Sequence, residues 1–244
     1  MNLYALLQAR MAAQGPVRVG LIGAGKFGSM FLAQVPHSAG LEVSAIADLD
    51  PDRACAACRT VGWHDDHIAS VKFSDDAAVL IAMDDVDVVV EATGSPQAGI
   101  AHARAAIAAH KPVVMVSVEA DVLAGPLLAK EAAAAGVVYS MAYGDQPALI
   151  CELVDWARAC GMKVVAAGKG TKYLPEYHNS TPETVWDYYG LSAEEADAGG
   201  MNAQMFNSFL DGTKSAIEMA AVVNASGLTA PSDGLSFPPC SADD

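Results

Sequence analysis

Between residues 165 and 244 the chain carries eleven aspartates and glutamates but only three bases, Lys169, Lys172 and Lys214. The formal net charge is −15, so an anionic ligand needs a local concentration of these scarce cations to overcome the field of the whole chain. Lys214 lies in "SFLDGTKSAIEM", three residues after Asp211; an unbroken helix would present both on one face. An ammonium beside a carboxylate can polarise or protonate a carbonyl oxygen, and Lys214 with Asp211 is the expected catalytic pair. A helix-surface ion pair of Lys214 with Asp211 or Glu218 is the plainer alternative for the same spacing. In "GKGTKY" the small residues around Lys169 and Lys172 let backbone and charge approach a ligand together. Those two lysines are expected to bind the substrate's anionic group, with His178 and Asn179 as further contacts.

A second group of residues points to a dinucleotide. In "VRVGLIGAGKFGSMFLAQV" an apolar strand, Val17 to Ile22, runs into Gly23, Gly25 and Gly28 and then into an apolar helix. GxGxxG carries information only in this strand–turn–helix context. The first glycine permits the tight turn, the second lets a pyrophosphate approach the backbone, and the third lets helix and strand pack closely. The anion then meets the free N–H groups at the helix start, with Lys26 and Phe27 beside it. "LEVSAIADLD" is a second strand; it reaches Asp48 about 20 residues after Gly28, where the fingerprint places the acid that binds the adenosine ribose. Asp48 favours NAD over NADP, and Arg53 nearby works against that preference. Thr93, Gly94 and Ser95 form a sharp turn after "VDVVVEA", at the strand end where cofactors bind in such sheets.

The elements that position these residues follow from the pattern. The segments at 86–94, 111–118 and 136–144 read as further strands, with Ala-rich helices between them. Alternation of this kind implies an α/β fold: a doubly wound parallel Rossmann sheet with right-handed crossovers. "GDQPALICELVDWARACG" reads as a helix capped by Asp145 and stopped by Gly161. "MKVVAA" reads as a strand leading into Lys169, "LSAEEADAGG" as an acidic turn, and 201–228 as one long Met-rich helix. The expected organisation is an N-terminal helix over 1–15, an NAD(P)-binding domain over 16–145, and a smaller α+β substrate and dimerisation region over 146–244.

Composition excludes several classes. Hydrophobic residues make up 52% and charged residues 18%, which is a globular rather than a disordered balance. The negative charge argues against nucleic acid and anionic membrane surfaces as partners. No apolar run is long enough for a membrane span, and the first 15 residues read as a short amphipathic helix, not a signal peptide. Five cysteines, an odd number, fit a reducing cytoplasm better than a disulfide framework. Cys55 and Cys58 form a CxxC without a second ligand pair, and His64, Asp65, Asp66 and His67 lie in a polar insertion read as a solvated loop, so neither is assigned a metal. The Met-rich helix and the N-terminal helix are expected to support a homo-oligomer.

Taken together, the strand–GxGxxG, "VVVEATG", "KPVVMVSVEADVLAGPLLAKEAAAAGVVY", "GKGTKYLPEY" and "LDGTKSAIEMA" resemble homoserine dehydrogenases. More closely they resemble homoserine-dehydrogenase-like oxidoreductases that include bacterial deoxyxylulose-phosphate reductoisomerase-like members. The resemblance covers about residues 16 to 240. It implies an enzyme that transfers a hydride between NAD or NADP and a small hydroxy or oxo compound. Homoserine dehydrogenases carry a lysine where this chain has Val118, Glu119 and Ala120, and the two extra lysines at 169 and 172 suit a phosphate-like anion better than a free amino acid. The family's chains continue past the Asp211–Lys214 helix, so the resemblance implies either further chain beyond residue 244 or a partner that supplies the rest. The alternatives are a metal-dependent sugar-phosphate reductoisomerase, with Asp145, Glu119 and Glu176 as available oxygen ligands, and a non-catalytic nucleotide-binding domain.

Overall fold

The computed structural model describes residues 2–236 and 238. It divides into two compact units, Met1–Tyr143 and Gly144–Asp244. The division falls two residues before the expected boundary, and the last residues of the second region lie outside the described part.

Unit 1 begins with α1 (Leu3–Gln14), capped by the Asn2 side chain. A six-stranded parallel sheet follows: β1 (Val17–Ile22), β2 (Leu41–Ala47), β3 (Lys72–Ser74), β4 (Val88–Glu91), β5 (Val113–Met115) and β6 (Tyr139–Met141). Its order is β3-β2-β1-β4-β5-β6, with every pairing parallel. This is the Rossmann order, in which the topology reverses between β1 and β4 and opens a crevice at the strands' carboxyl ends. Helices α2 (Lys26–Gln34), α3 (Pro51–Thr60), α4 (Asp65–Ser70), α5 (Ala77–Ile81), α6 (Pro96–Ala108) and α7 (Val118–Ala135) join the strands.

Alternation along the strands sorts their side chains onto two faces. Val19, Leu21, Val43 and Ile46 pack with Leu32, Ala54 and Cys58 of α2 and α3. Ile22, Val89, Val113 and Met115 pack with Ala103, Ala106 and Leu128 of α6 and α7. Cys58 is buried within the first of these clusters. Burial, aided by neighbouring Cys55, pushes its thiol up to about 11. It is therefore a packing residue held away from the reactive thiolate.

The polar stretch 62–76 departs from the solvated loop expected of it. It contributes α4 and the edge strand β3, which pairs with Ala45, Ile46 and Ala47. Trp63 anchors it: the indole is buried, donates to the Leu32 carbonyl at 2.8 Å, and stacks on His67 at 4.0 Å. Three residues of strand flanked by charges are too short to show a period-2 pattern.

Unit 2 is helical among the described residues, not α+β. It holds α8 (Gln146–Ala159), a 3-10 turn over Pro175–Asn179, α9 (Val185–Tyr189), α10 (Ala193–Ala198), α11 (Ala203–Leu210) and α12 (Thr213–Ser226). The segment read as a strand before Lys169 is irregular, with Val165 82% exposed. Its Val-Val pair met the propensity for a strand, but the described residues supply no ladder partner, and a strand exists only through its pairing. The acidic turn is α10, closed by a reciprocal capping box between Ser192 and Glu195. The single long helix is two. Asp211 ends α11, and Gly212, at φ 88°, turns the chain into α12.

Candidate functional site

The nucleotide cradle of unit 1 is built as the glycine spacing requires. Gly23 has φ 95°, and a Cβ there would lie 2.8 Å from the Ala92 backbone. A Cβ on Gly28 would meet the Gly23 carbonyl oxygen at 2.3 Å, so β1 and α2 come together only through glycine. Around Gly25 nothing lies within 4 Å of a Cβ position, and no side chain caps α2. The first N–H groups of α2 thus face open space over a glycine, which fits a pyrophosphate. Lys26 and Phe27 are exposed at this same turn.

Asp48 follows β2 and is nearly buried. Its Oδ2 accepts the Ala24 N–H at 2.8 Å. Its Oδ1 accepts the Asp50 N–H at 3.1 Å and Arg53 Nη2 at 2.7 Å. Burial alone would raise the carboxyl, but these two N–H groups and the guanidinium outweigh it and hold Asp48 below the usual aspartate range. Thr93, Gly94 and Ser95 follow β4. Gly94 has φ 70°, and the Ser95 hydroxyl caps α6 by accepting from Ala98.

Beneath that turn lies a residue the sequence reading did not single out. Glu91 is fully buried, accepts the Thr93 hydroxyl at 2.6 Å and stands 3.3 Å from His102 Nδ1. Its other oxygen has no partner among the described residues. An acid within the run "VVVEATG" was the available signal, since a central strand rarely holds a charge without a task.

In unit 2, Lys169 donates to Glu218 and, at 2.8 Å, to Gln146 Oε1. Lys214 Nζ stands 3.7 Å from the other oxygen of Glu218. Glu218 is 3% exposed. These groups border a cavity of about 450 Å³ with Asp145, Thr171, Phe209 and Ser215. A buried carboxylate is tolerable only when paired, and here it is paired twice. Lys214 and Lys169 are therefore brought together, and Glu218 is the residue that joins them.

Asp211 is not the partner of Lys214. The break at Gly212 puts them on different helices, and the Asp211 carboxylate accepts from Asn207 Nδ2 at 2.9 Å and from the Thr213 N–H at 2.8 Å. Lys172, His178 and Asn179 are exposed and do not border the cavity. His178 Nδ1 lies 3.1 Å from the Asp211 carbonyl oxygen, and its ring meets Tyr173 edge-on. Among the described residues no group of three or more His, Cys, Asp or Glu is gathered to hold a metal ion. Of the three oxygen donors named from sequence, Glu119 lies on α7 of unit 1, whereas Asp145 caps α8 and Glu176 lies in the 3-10 turn of unit 2. No helix is long and apolar enough to cross a membrane among the described residues.

Comparison with known proteins divides the chain at the same place. Residues 17–119 match the family model described as "Oxidoreductase family, NAD-binding Rossmann fold", of the GFO/IDH/MocA type. Residues 144–244 match the model "Oxidoreductase DRL, catalytic domain". An inositol 2-dehydrogenase of Acidothermus cellulolyticus is 37% identical over 123 residues, which is 50% of this chain and 34% of the relative. The chain thus spans about a third of that relative's length. A homoserine dehydrogenase structure from Thiobacillus denitrificans superposes with a TM-score of 0.61 at 18% identity, covering 88% of this chain and 50% of the other, a likeness of fold. A myo-inositol dehydrogenase from Lactobacillus casei, solved with NAD(H) and myo-inositol, is 20% identical with a TM-score of 0.49, covering 70% of this chain and 50% of that one. Residues 17–119 thus fold as a Rossmann domain that matches the NAD-binding GFO/IDH/MocA oxidoreductase model, and residues 144–244 match the model of the DRL catalytic domain.

Proposed function

We propose that the chain works in an NAD(P)-dependent oxidoreductase that moves a hydride between the nicotinamide and a small anionic hydroxy or oxo compound. The observation that carries this reading is the convergence of Lys169 and Lys214 on buried Glu218, at a cavity in the segment that matches an oxidoreductase catalytic domain. When bound, the cofactor supplies or accepts the hydride. The protein's own residues handle the proton and the charge. Lys214, held loosely at 3.7 Å from Glu218, is the group that gives a proton to the substrate oxygen on reduction and takes it back on oxidation. Glu218 keeps both ammonium groups in place. Lys169, fixed between Glu218 and Gln146, presents a positive charge to the substrate's anionic group. Thr171 and Ser215 border the same cavity with hydroxyls that can bond the substrate.

Reductoisomerisation of a sugar phosphate, of the deoxyxylulose-phosphate type, would use the same cationic site. It would also need hard oxygen donors for a divalent ion, and Asp145 and Glu218 are the carboxylates that border the cavity. The test is a screen of NADH and NADPH oxidation against small oxo acids and oxo phosphates, with and without a chelator. Turnover that survives the chelator supports simple hydride transfer; turnover abolished by it and restored by magnesium supports the reductoisomerase.

A further inference from the structure

Glu91 ends β4 with a carboxylate that has no access to solvent. Its Oε1 accepts the Thr93 hydroxyl at 2.6 Å and the Thr93 N–H at 3.4 Å, and lies 3.3 Å from His102 Nδ1. Its Oε2 has no partner among the described residues and faces Gly99 of α6, where a Cβ would stand only 3.0 Å away. His102 is the ion-pair partner of Glu91 among the described residues. A buried carboxylate with an orphaned oxygen destabilises a fold, and an apolar side chain of the same length on a central strand would not. The packing of unit 1 does not call for this acid, so its task lies in what it holds.

It holds the turn at the mouth of the crevice. Thr93 is exposed there, and the peptide between Ala92 and Thr93 lies 2.8 Å from where a Cβ on Gly23 would stand. The Thr93 turn and the pyrophosphate cradle therefore touch at the point where the strand order reverses. In a Rossmann crevice the acid after the second strand, here Asp48, meets the adenosine ribose, which leaves the β4 side to the nicotinamide nucleotide. A hydroxyl has one hydrogen and two lone pairs. Thr93 gives its hydrogen to Glu91 and accepts the Ser95 N–H at 3.3 Å, so one lone pair is kept for a ribose hydroxyl or a carboxamide N–H. We propose that Glu91, balanced by His102, is a positioning residue of the cofactor site: it fixes the Thr93 hydroxyl as an acceptor toward the nicotinamide half of the dinucleotide. The proposal rests on the NAD-binding match of residues 17–119 and is independent of the substrate chemistry of unit 2.

The experiment compares NADH and NADPH with ADP, which carries adenosine and pyrophosphate but no nicotinamide nucleotide, as ligands of the purified full chain. Calorimetry follows binding and thermal melting follows stability. Glu91→Met puts an unbranched apolar side chain in place of the carboxylate. It is expected to melt at or above the wild-type temperature, because the orphaned oxygen is gone and His102, 24% exposed, reaches solvent. It is also expected to bind NADH and NADPH about tenfold or more weakly, with ADP within about twofold of wild type. Glu91→Gln keeps an oxygen for the Thr93 hydroxyl and restores NADH and NADPH to within about threefold of wild type. Thr93→Val weakens the same two ligands, and adding Glu91→Met to it changes them by less than about twofold, since both act through one bond. A purely structural Glu91 gives the opposite pattern: Glu91→Met melts lower, and ADP weakens with the dinucleotides. If Glu91→Met does not fold, Thr93→Val decides, because it cuts the same bond from its other end; a loss confined to NADH and NADPH supports the proposal. Unchanged NADH and NADPH affinity in folded Glu91→Met or in Thr93→Val, an equal loss of ADP, or multiplied losses in the double variant overturns it.

Discussion

The ammonium groups of Lys169 and Lys214 meet on one buried carboxylate, that of Glu218, which lies 49 residues from the first in sequence and one helical turn from the second. The Lys214–Glu218 contact is an ordinary i, i+4 pair, and alone it would be worth a few tenths of a kcal/mol. The Lys169 contact changes its meaning. It closes the irregular segment around "GKGTK" onto α12 and places two cations at the edge of a cavity.

Removing one member of this cluster strands another. Lys169→Met leaves the Glu218 carboxylate with a distant single partner and is expected to destabilise the chain by about 3 kcal/mol. Combining it with Glu218→Leu removes the stranded charge and is expected to recover at least half of that loss. Denaturant unfolding of the two single variants and the double variant gives the coupling directly. Additive losses would mean that the pair is decorative. Lys172→Met, at an exposed position, changes stability by less than about 0.5 kcal/mol in the same assay.

The two glycines of the cradle separate folding from binding. Gly28→Ala drives a methyl group into the Gly23 carbonyl and is expected to cost about 2 kcal/mol or more, with loss of nucleotide binding. Gly25→Ala meets nothing in the folded chain, so its melting temperature stays close to wild type. It nevertheless blocks the approach of a pyrophosphate and weakens NADH and NADPH by about tenfold or more. Thermal melts beside cofactor titrations check this. Equal behaviour of the two variants would contradict the assignment of the turn.

Asp121 makes the stability of unit 1 depend on pH. Burial pushes its carboxyl above the usual aspartate range, and the hydrogen bond it accepts from the Tyr139 hydroxyl at 2.9 Å offsets only part of this. The folded value exceeds the unfolded one. Its contribution is therefore fully present below the unfolded value, about 4, and is lost as pH rises through the folded value. Asp121→Asn keeps an acceptor for Tyr139 and carries no charge. Melts at pH 4 and pH 7 are expected to show the variant gaining on wild type toward pH 7. A difference that stays constant between the two pH values would mean that Asp121 ionises as freely in the fold as in the unfolded chain.

What was legible in the sequence was local. The Rossmann strands, the glycine turn and the Thr93 turn each rest on residues within a few positions of one another, and Asp48 rests on its fixed spacing of about 20 residues from Gly28. Gly212 also announced itself: a glycine in the middle of a helical pattern is a C-cap signal, and the long-helix reading passed over it. Glu218 was hidden for the opposite reason. Its role comes from Lys169, across 49 residues of chain that include turns and several short helices. The i, i+3 spacing of Asp211 to Lys214 has meaning only on a continuous helix, and Gly212 interrupts it. The strand expected before Lys169 had the right residues, but pairing is a property of a sheet and not of a segment.

The measurement that tests the central claim most directly is turnover of wild type and Lys214→Ala with NADPH and NADH and a panel of small oxo acids and oxo phosphates, with cofactor binding followed in parallel. Wild type is expected to reduce at least one anionic oxo compound, and Lys214→Ala to lose about 100-fold or more of kcat while its cofactor Kd stays within about twofold of wild type. No turnover by wild type across the panel, or a variant that keeps activity within about threefold of wild type, would contradict it.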